Sequence, residues 1–196
     1  MGQQQSIRYT PHRDFTSGKA VNVYTQFGED GLIAACLHKI GETNRQCFEI
    51  GAADGRFFSN TLLLRERGWR AVLIESDQLQ AQRLINEFGG DSVCLNMLCT
   101  SLNEPLRDAG MSRTPDLGVI DIDGQDYWLW EDLTEFEPRI MLVEISTRGT
   151  CEPPPERGGD GQAGLDAIRS LGEAKGYTMV AETFCNALFI KSELLN

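Results

Sequence analysis

Two rhythms of apolar spacing take turns along this chain. Leu32, Ile33, Ala35, Cys36, Leu37 and Ile40 recur at helical intervals and Gly41 follows as a stop, so a helix is predicted over 27–40. The short apolar run over 46–50 predicts a buried strand. The succession then repeats: a helix from Asn60 to a stop at Gly68, a strand over 69–75, a helix over 78–88 closed by Gly89 and Gly90, and a strand over 92–98. A helix over 101–109 ends at Gly110, and a strand over 116–121 follows. Beyond it come a helix carrying Tyr127, Trp128, Trp130, Leu133 and Phe136, whose aromatic face reads as core, and a strand over 139–145. A helix over 165–175 and two closing strands over 177–182 and 187–190 complete the chain. Strands alternating with helices predict an α/β fold, a mostly parallel sheet with helices on both faces. No internal repeat is visible.

Composition narrows this picture. At 196 residues the chain has the size of one domain. Residues 1–22 hold few apolar side chains and predict a flexible N-terminal tail or a strap across the site, which leaves 23–196 as the single domain. The stretch 146–164, rich in Pro, Gly and charge, predicts a lid loop. A formal charge of −11 argues against nucleic acid as a partner, because phosphate binding is dominated by Lys and Arg. The six cysteines show no C-x-x-C spacing and several sit in apolar runs, so they read as reduced thiols of a cytoplasmic protein. No apolar run approaches the roughly 20 residues needed to cross a bilayer, and no membrane partner is expected. Met1 to Ser6 does fit the N-myristoylation pattern, but no basic cluster follows it.

Candidate chemistry gathers where strands end. The run 46–55 leaves its strand through Glu49, Gly51, Ala52, Ala53, Asp54 and Gly55. Two glycines framing such a turn let backbone N–H groups approach a ligand, while the acids suit donors on it and would repel phosphate. The spacing is not G-x-G-x-x-G, so a zwitterion or a ribose fits better than a pyrophosphate. Glu75 closes the next strand about 20 residues past Gly55, the offset at which a carboxylate takes both hydroxyls of a ribose. Asp121, Asp123 and Glu144 crowd the ends of two later strands, where three converging carboxylates could hold Mg²⁺. Asp126 reads as a helix-start residue.

In their order, Gln26-Phe27-Gly28-Glu29-Asp30-Gly31, the 49–55 turn, Ser59-Asn60-Thr61, Gly68-Trp69-Arg70, Ile74-Glu75 and the 121–127 run resemble the FkbM family of class I S-adenosylmethionine-dependent methyltransferases. The resemblance runs from about residue 24 to the C-terminus. It implies a Rossmann-like sheet of seven strands with the last antiparallel, S-adenosylmethionine as cofactor, and O-methylation of a small-molecule or sugar-containing substrate. It places Gln26 and Glu29 at the methionine end of the cofactor, although an acidic first turn that favours the helix dipole explains Glu29 equally well. Gly51, Ala52, Ala53, Asp54, Gly55 and Asn60 would surround methionine and ribose, with Glu49 supporting the turn. Glu75, Ser76 and Asp77 would serve the ribose, Asn96 and Met97 would flank the adenine, and Asp121 would be the catalytic base. Two rivals stand beside this reading. The 118–124 run also resembles the first motif of haloacid-dehalogenase phosphohydrolases, with Asp121 and Asp123 as the acting pair, although Gln125 departs from that motif and more than half the chain precedes it. A cofactor-binding module without turnover would need the same pocket.

Overall fold

The computed structural model describes residues 14–149, 154 and 156–196. Seven strands form one sheet: β1 (Gln46–Ile50), β2 (Arg70–Glu75), β3 (Val93–Asn96), β4 (Leu117–Ile120), β5 (Ile140–Glu144), β6 (Tyr177–Glu182) and β7 (Asn186–Lys191). Their order is β3-β2-β1-β4-β5-β7-β6. The first five run parallel, and β7 is antiparallel to both β5 and β6. The chain therefore reverses its direction of travel across the sheet between β1 and β4, the place where open α/β sheets bind ligands.

Period-two alternation sends side chains of each strand to two separate cores. Leu32, Ile33 and Cys36 of helix α1 (Glu29–Ile40), Leu64 of α2 (Leu62–Arg65) and Leu84 of α3 (Gln78–Phe88) cover one face with Cys47, Leu73, Val119 and Leu142. Leu106 of α4 (Asn103–Asp108), Trp130 of α5 (Asp126–Asp132) and Ile168 of α6 (Leu165–Ala174) cover the other with Phe48, Ile74, Ile120 and Phe189. The aromatic helix divides as expected: Trp130 is fully buried, while Tyr127 and Trp128 stay half-buried. Gly172 lets α6 approach closely, since a Cβ there would meet the Phe189 and Trp130 rings.

Two sequence expectations change. The helix opening at Asn60 shrinks to the four residues of α2: the Asn60 N–H and the Thr61 hydroxyl go to Glu49, and the ladder starts only at the Thr61 carbonyl. The expected tail ends earlier than residue 22. Phe15 and Ala20 pack on the α1 core, the Thr16 hydroxyl donates to the Val180 carbonyl at 3.0 Å, and Val21 bonds Gly28 and Gly31. The fit is tight: a Cβ on Gly31 would stand 1.9 Å from the Lys19 carbonyl oxygen. Residues 1–13, with the myristoylation pattern, lie outside the described residues, as do Cys151 and the neighbouring tip of the 146–164 loop. The described part of that loop docks on α5. Gly158 donates to Gln125, and Arg157 pairs with Glu131 and Asp132. Among the described residues no helix is long and apolar enough to cross a membrane.

Candidate active site

Seven of the residues marked in the sequence, Gly51, Ala53, Glu75, Ser76, Met97, Asp121 and Asp123, line one cavity of about 370 Å³ at the carboxyl ends of β1 to β4. Gly51 is the pivot. Its φ is +81°, and a Cβ would lie 1.7 Å from the Asp121 carbonyl oxygen, so the turn leaves β1 only with glycine there. Ala53 holds φ +47° and donates its N–H to Glu75 Oε2 at 2.8 Å, while the Asp77 N–H reaches Glu75 Oε1 at 2.7 Å. Both oxygens of Glu75 are thereby oriented, and each keeps a lone pair for a vicinal diol. Ile74, Met97 and Leu98 supply an apolar wall, and among the described residues no Lys or Arg lines it.

Other marked residues shape the cavity from behind its wall. Glu49 is buried and accepts the Ser59 hydroxyl at 2.8 Å, the Asn60 N–H at 2.7 Å and the Thr61 hydroxyl, which fixes the 59–61 loop. Gly55 faces α3, where a Cβ would collide with Leu84 and Phe88. Asp54 accepts the Arg56 and Phe57 N–H groups, which hold its carboxyl below the usual range against a smaller effect of burial. Asp77 caps α3 through the Gln80 N–H, and the Asn96 amide ties the Glu75 and Ser76 carbonyls. Ala52 is buried and bonds Ile74, while Gln26 is exposed and its carbonyl accepts from Asn22. Reading the sequence missed Ile50, Ile74, Gln80, Leu98, Cys99 and Ile122 as lining residues. Leu98, just past β3, is largely exposed, which the sequence did not signal.

Around Asp121, outside the cavity lining, further acids gather. Glu144 of β5 pairs in register with Asn186 of β7, and Asp121 follows directly on the Ile120–Val143 pair that ends β4. Glu29, at the start of α1, accepts the Thr183 hydroxyl at 2.7 Å, the Asn186 amide at 3.3 Å and the Phe27 N–H at 2.8 Å. Burial, then repulsion from Asp126, Glu49, Asp123 and Glu29, raises the Asp121 pKa well above the carboxylate range. Burial and then Asp121 raise Glu144 likewise. Asp126 is pushed up to about 6 by burial, while the Ile122 and Gly124 N–H groups it accepts work in the other direction. The expected Mg²⁺ site is corrected: among the described residues no three His, Cys, Asp or Glu side chains stand close enough to hold a metal ion. Asp123 turns out to solvent at φ +58°, and its N–H occupies Glu144 Oε2 at 2.8 Å.

The fold this site sits in is that of the Rossmann-like methyltransferases. Among solved structures, the chain is similar to magnesium protoporphyrin IX methyltransferase from Synechocystis PCC 6803 with bound S-adenosylhomocysteine (SAH), with TM-score 0.54 and 11% identity over 84% of this chain and 81% of that one. It is similar to precorrin-6y C5,15-methyltransferase from Geobacter metallireducens GS-15, with TM-score 0.52 and 11% identity over 87% and 90% of the two chains. A SAM-dependent methyltransferase from Aquifex aeolicus gives TM-score 0.50 and 13% identity over 92% and 93%. At these identities the likeness is one of fold. No protein-family model matches the chain, and no curated protein does.

Proposed function

We propose that this protein is an S-adenosylmethionine-dependent methyltransferase of the FkbM kind, which methylates a hydroxyl oxygen on a small molecule or sugar-containing metabolite. The observation that carries the reading is the shared cavity of Gly51, Glu75 and Asp121 at the crossover between β1 and β4. The residues fit the cofactor: the Gly51 turn leaves space that a side chain would fill, Glu75 meets a diol, and Ile74, Met97 and Leu98 offer apolar surface for a nucleobase. When bound, the cofactor supplies an activated methyl group and its own leaving group. The protein then has two tasks, to align the acceptor and to take one proton. Asp121 Oδ is the base for that proton. Its raised pKa makes the ionised form a stronger base than an ordinary carboxylate. The phosphohydrolase reading is disfavoured by the acids around Asp121, which would repel a phosphate, and by the lack of Lys and Arg on the cavity wall among the described residues.

Thermal unfolding with SAH, with NAD, and with Mg²⁺ plus phosphate tests the reading. Stabilisation by SAH alone is expected, and stabilisation by Mg²⁺ plus phosphate alone would restore the phosphohydrolase. Transfer of a labelled methyl group separates an enzyme from a binder without turnover.

A further inference from the structure

The two outer edges of the sheet are built differently. On the β6 side the ladder carries a bulge between Met179 and Ala181, and the Thr16 hydroxyl takes the Val180 carbonyl. On the opposite side β3 pairs with β2 alone. The Met97 N–H goes to the Glu75 carbonyl at 3.0 Å, which fixes the phase of the ladder. Val93, Leu95 and Met97 bond inward to β2, so Cys94 and Asn96 turn their N–H and C=O groups away from the sheet. Among the described residues no other strand or loop takes up those four groups. Sheet edges are commonly blunted by Lys, Pro or a bulge, and β3 has none of these.

Beside this bare edge lies a second cavity, of about 330 Å³. One wall is Val93, Leu95 and Met97, spaced at the two-residue interval of side chains on a strand, and the other is Glu104, Pro105, Asp108 and Ala109 of α4 and its end. Glu104 and Asp108 stand one turn apart and are exposed. Among the described residues neither has an ion pair, because Arg107 between them is drawn to Glu135 instead. Met97 also lines the cavity of Gly51 and Glu75, so the two cavities adjoin without sharing an acid.

We propose that β3 is a docking edge for an extended segment of a partner protein, which adds to the sheet against Cys94 and Asn96 and sends lysine or arginine side chains across the Val93–Leu95–Met97 wall to Glu104 and Asp108. Backbone hydrogen bonds supply the register of such an added strand, and its side chains supply the selectivity. A long basic side chain suits both parts of the groove, its methylene stem lying on the apolar wall and its charged head meeting the acids. A second copy of this chain suits the edge poorly: it would bring the same two acids and a formal charge of −11 to a strand of only four residues. The assignment stands independently of the methyltransferase reading.

NMR of the isotope-labelled full chain tests it, with a capped hexapeptide of alternating lysine and threonine in about 150 mM salt. The Cys94 and Asn96 amide signals should move. The peptide should bind at least about threefold tighter than its norleucine counterpart, which keeps the stem and drops the charge, and its glutamate counterpart should not bind. Glu104→Gln combined with Asp108→Asn, at exposed positions that spare the fold, should abolish that advantage. An advantage that survives the double substitution comes from the net charge of the chain and overturns the proposal. Only alternate N–H groups of an added strand face β3, so N-methylation of the lysines and N-methylation of the threonines should differ, one abolishing binding and the other sparing it. Equal effects of the two, or no movement of the Cys94 and Asn96 signals up to about 5 mM peptide, overturns it as well. So does a chain already dimeric with those two amides protected from hydrogen exchange, which would give the edge to a second copy.

Discussion

Strand β4 is flanked by two carboxylates with opposite surroundings. Asp116, just before it, is fully buried and accepts the N–H groups of Thr43, Asn44 and Arg45, the Thr43 hydroxyl and the Arg139 guanidinium. Burial pushes its pKa up, but the Thr43, Arg139 and backbone donors outweigh burial and hold it below the ordinary value. Asp121, just after the strand, receives no hydrogen bond on its carboxylate among the described residues, so burial first and then the surrounding acids raise its pKa with nothing to offset them. Burial alone does not set the direction in which a carboxylate shifts. The supply of donors does.

The sharpest way to break this contrast is to remove each charge. Asp121→Asn should reduce methyl transfer by roughly a hundredfold to ten-thousandfold with cofactor affinity nearly intact, measured by single-turnover kinetics and SAH calorimetry. Parallel loss of both would give Asp121 a structural job and erase the distinction. Asp116→Ala should leave Arg139 without its carboxylate and three backbone donors unpaired, and cost about 3–5 kcal/mol in urea unfolding, because breaking a buried pair strands its partner. A loss below about 1 kcal/mol would make Asp116 an ordinary surface acid.

Glu75→Ala tests a third carboxylate that has both donors and a ligand to meet. It should weaken SAH binding by about 1.5–3 kcal/mol, the scale of hydrogen bonds to a charged group. Unchanged affinity in calorimetry would remove Glu75 from the cofactor site. The smallest effect tests the sign of the pH dependence. With its folded pKa raised, Asp121 lends stability that is complete below the ordinary carboxylate pKa and is lost as pH rises through the raised value. Asp121→Asn should therefore be about 1 kcal/mol more stable than the parent near pH 8 and no more stable near pH 4. Asp116, with a depressed pKa, stabilises above the ordinary value and fails as pH falls through the lower one.

The sequence made the sheet legible because its strands are short apolar runs punctuated by glycine and its helices keep strict spacing. Helix α3 and strand β6 fall on their expected bounds. Strand-end acids were legible as a group, but their individual roles were not. Glu49 and Asp121 both sit at strand ends, and only the fold reveals that Ser59, Asn60 and Thr61 occupy the first and leave the second bare. Gly51 and Gly55 look alike in a motif. One makes way for a carbonyl beside the cavity and the other for the side chains of α3, a difference composed by residues distant in sequence. Leu98 and Ile122 escaped notice because an apolar side chain reads as core until its surroundings are known.

The segment laid across the first turn of α1 limits how far the polypeptide can be trimmed. An N-terminus at residue 23, where the apolar rhythm suggests the body starts, would strip Thr16 from Val180 and Val21 from Gly28 and Gly31, and bare the helix end that carries Glu29. The smallest self-sufficient version of this fold therefore begins no later than Asp14, and any fusion should be joined upstream of that residue.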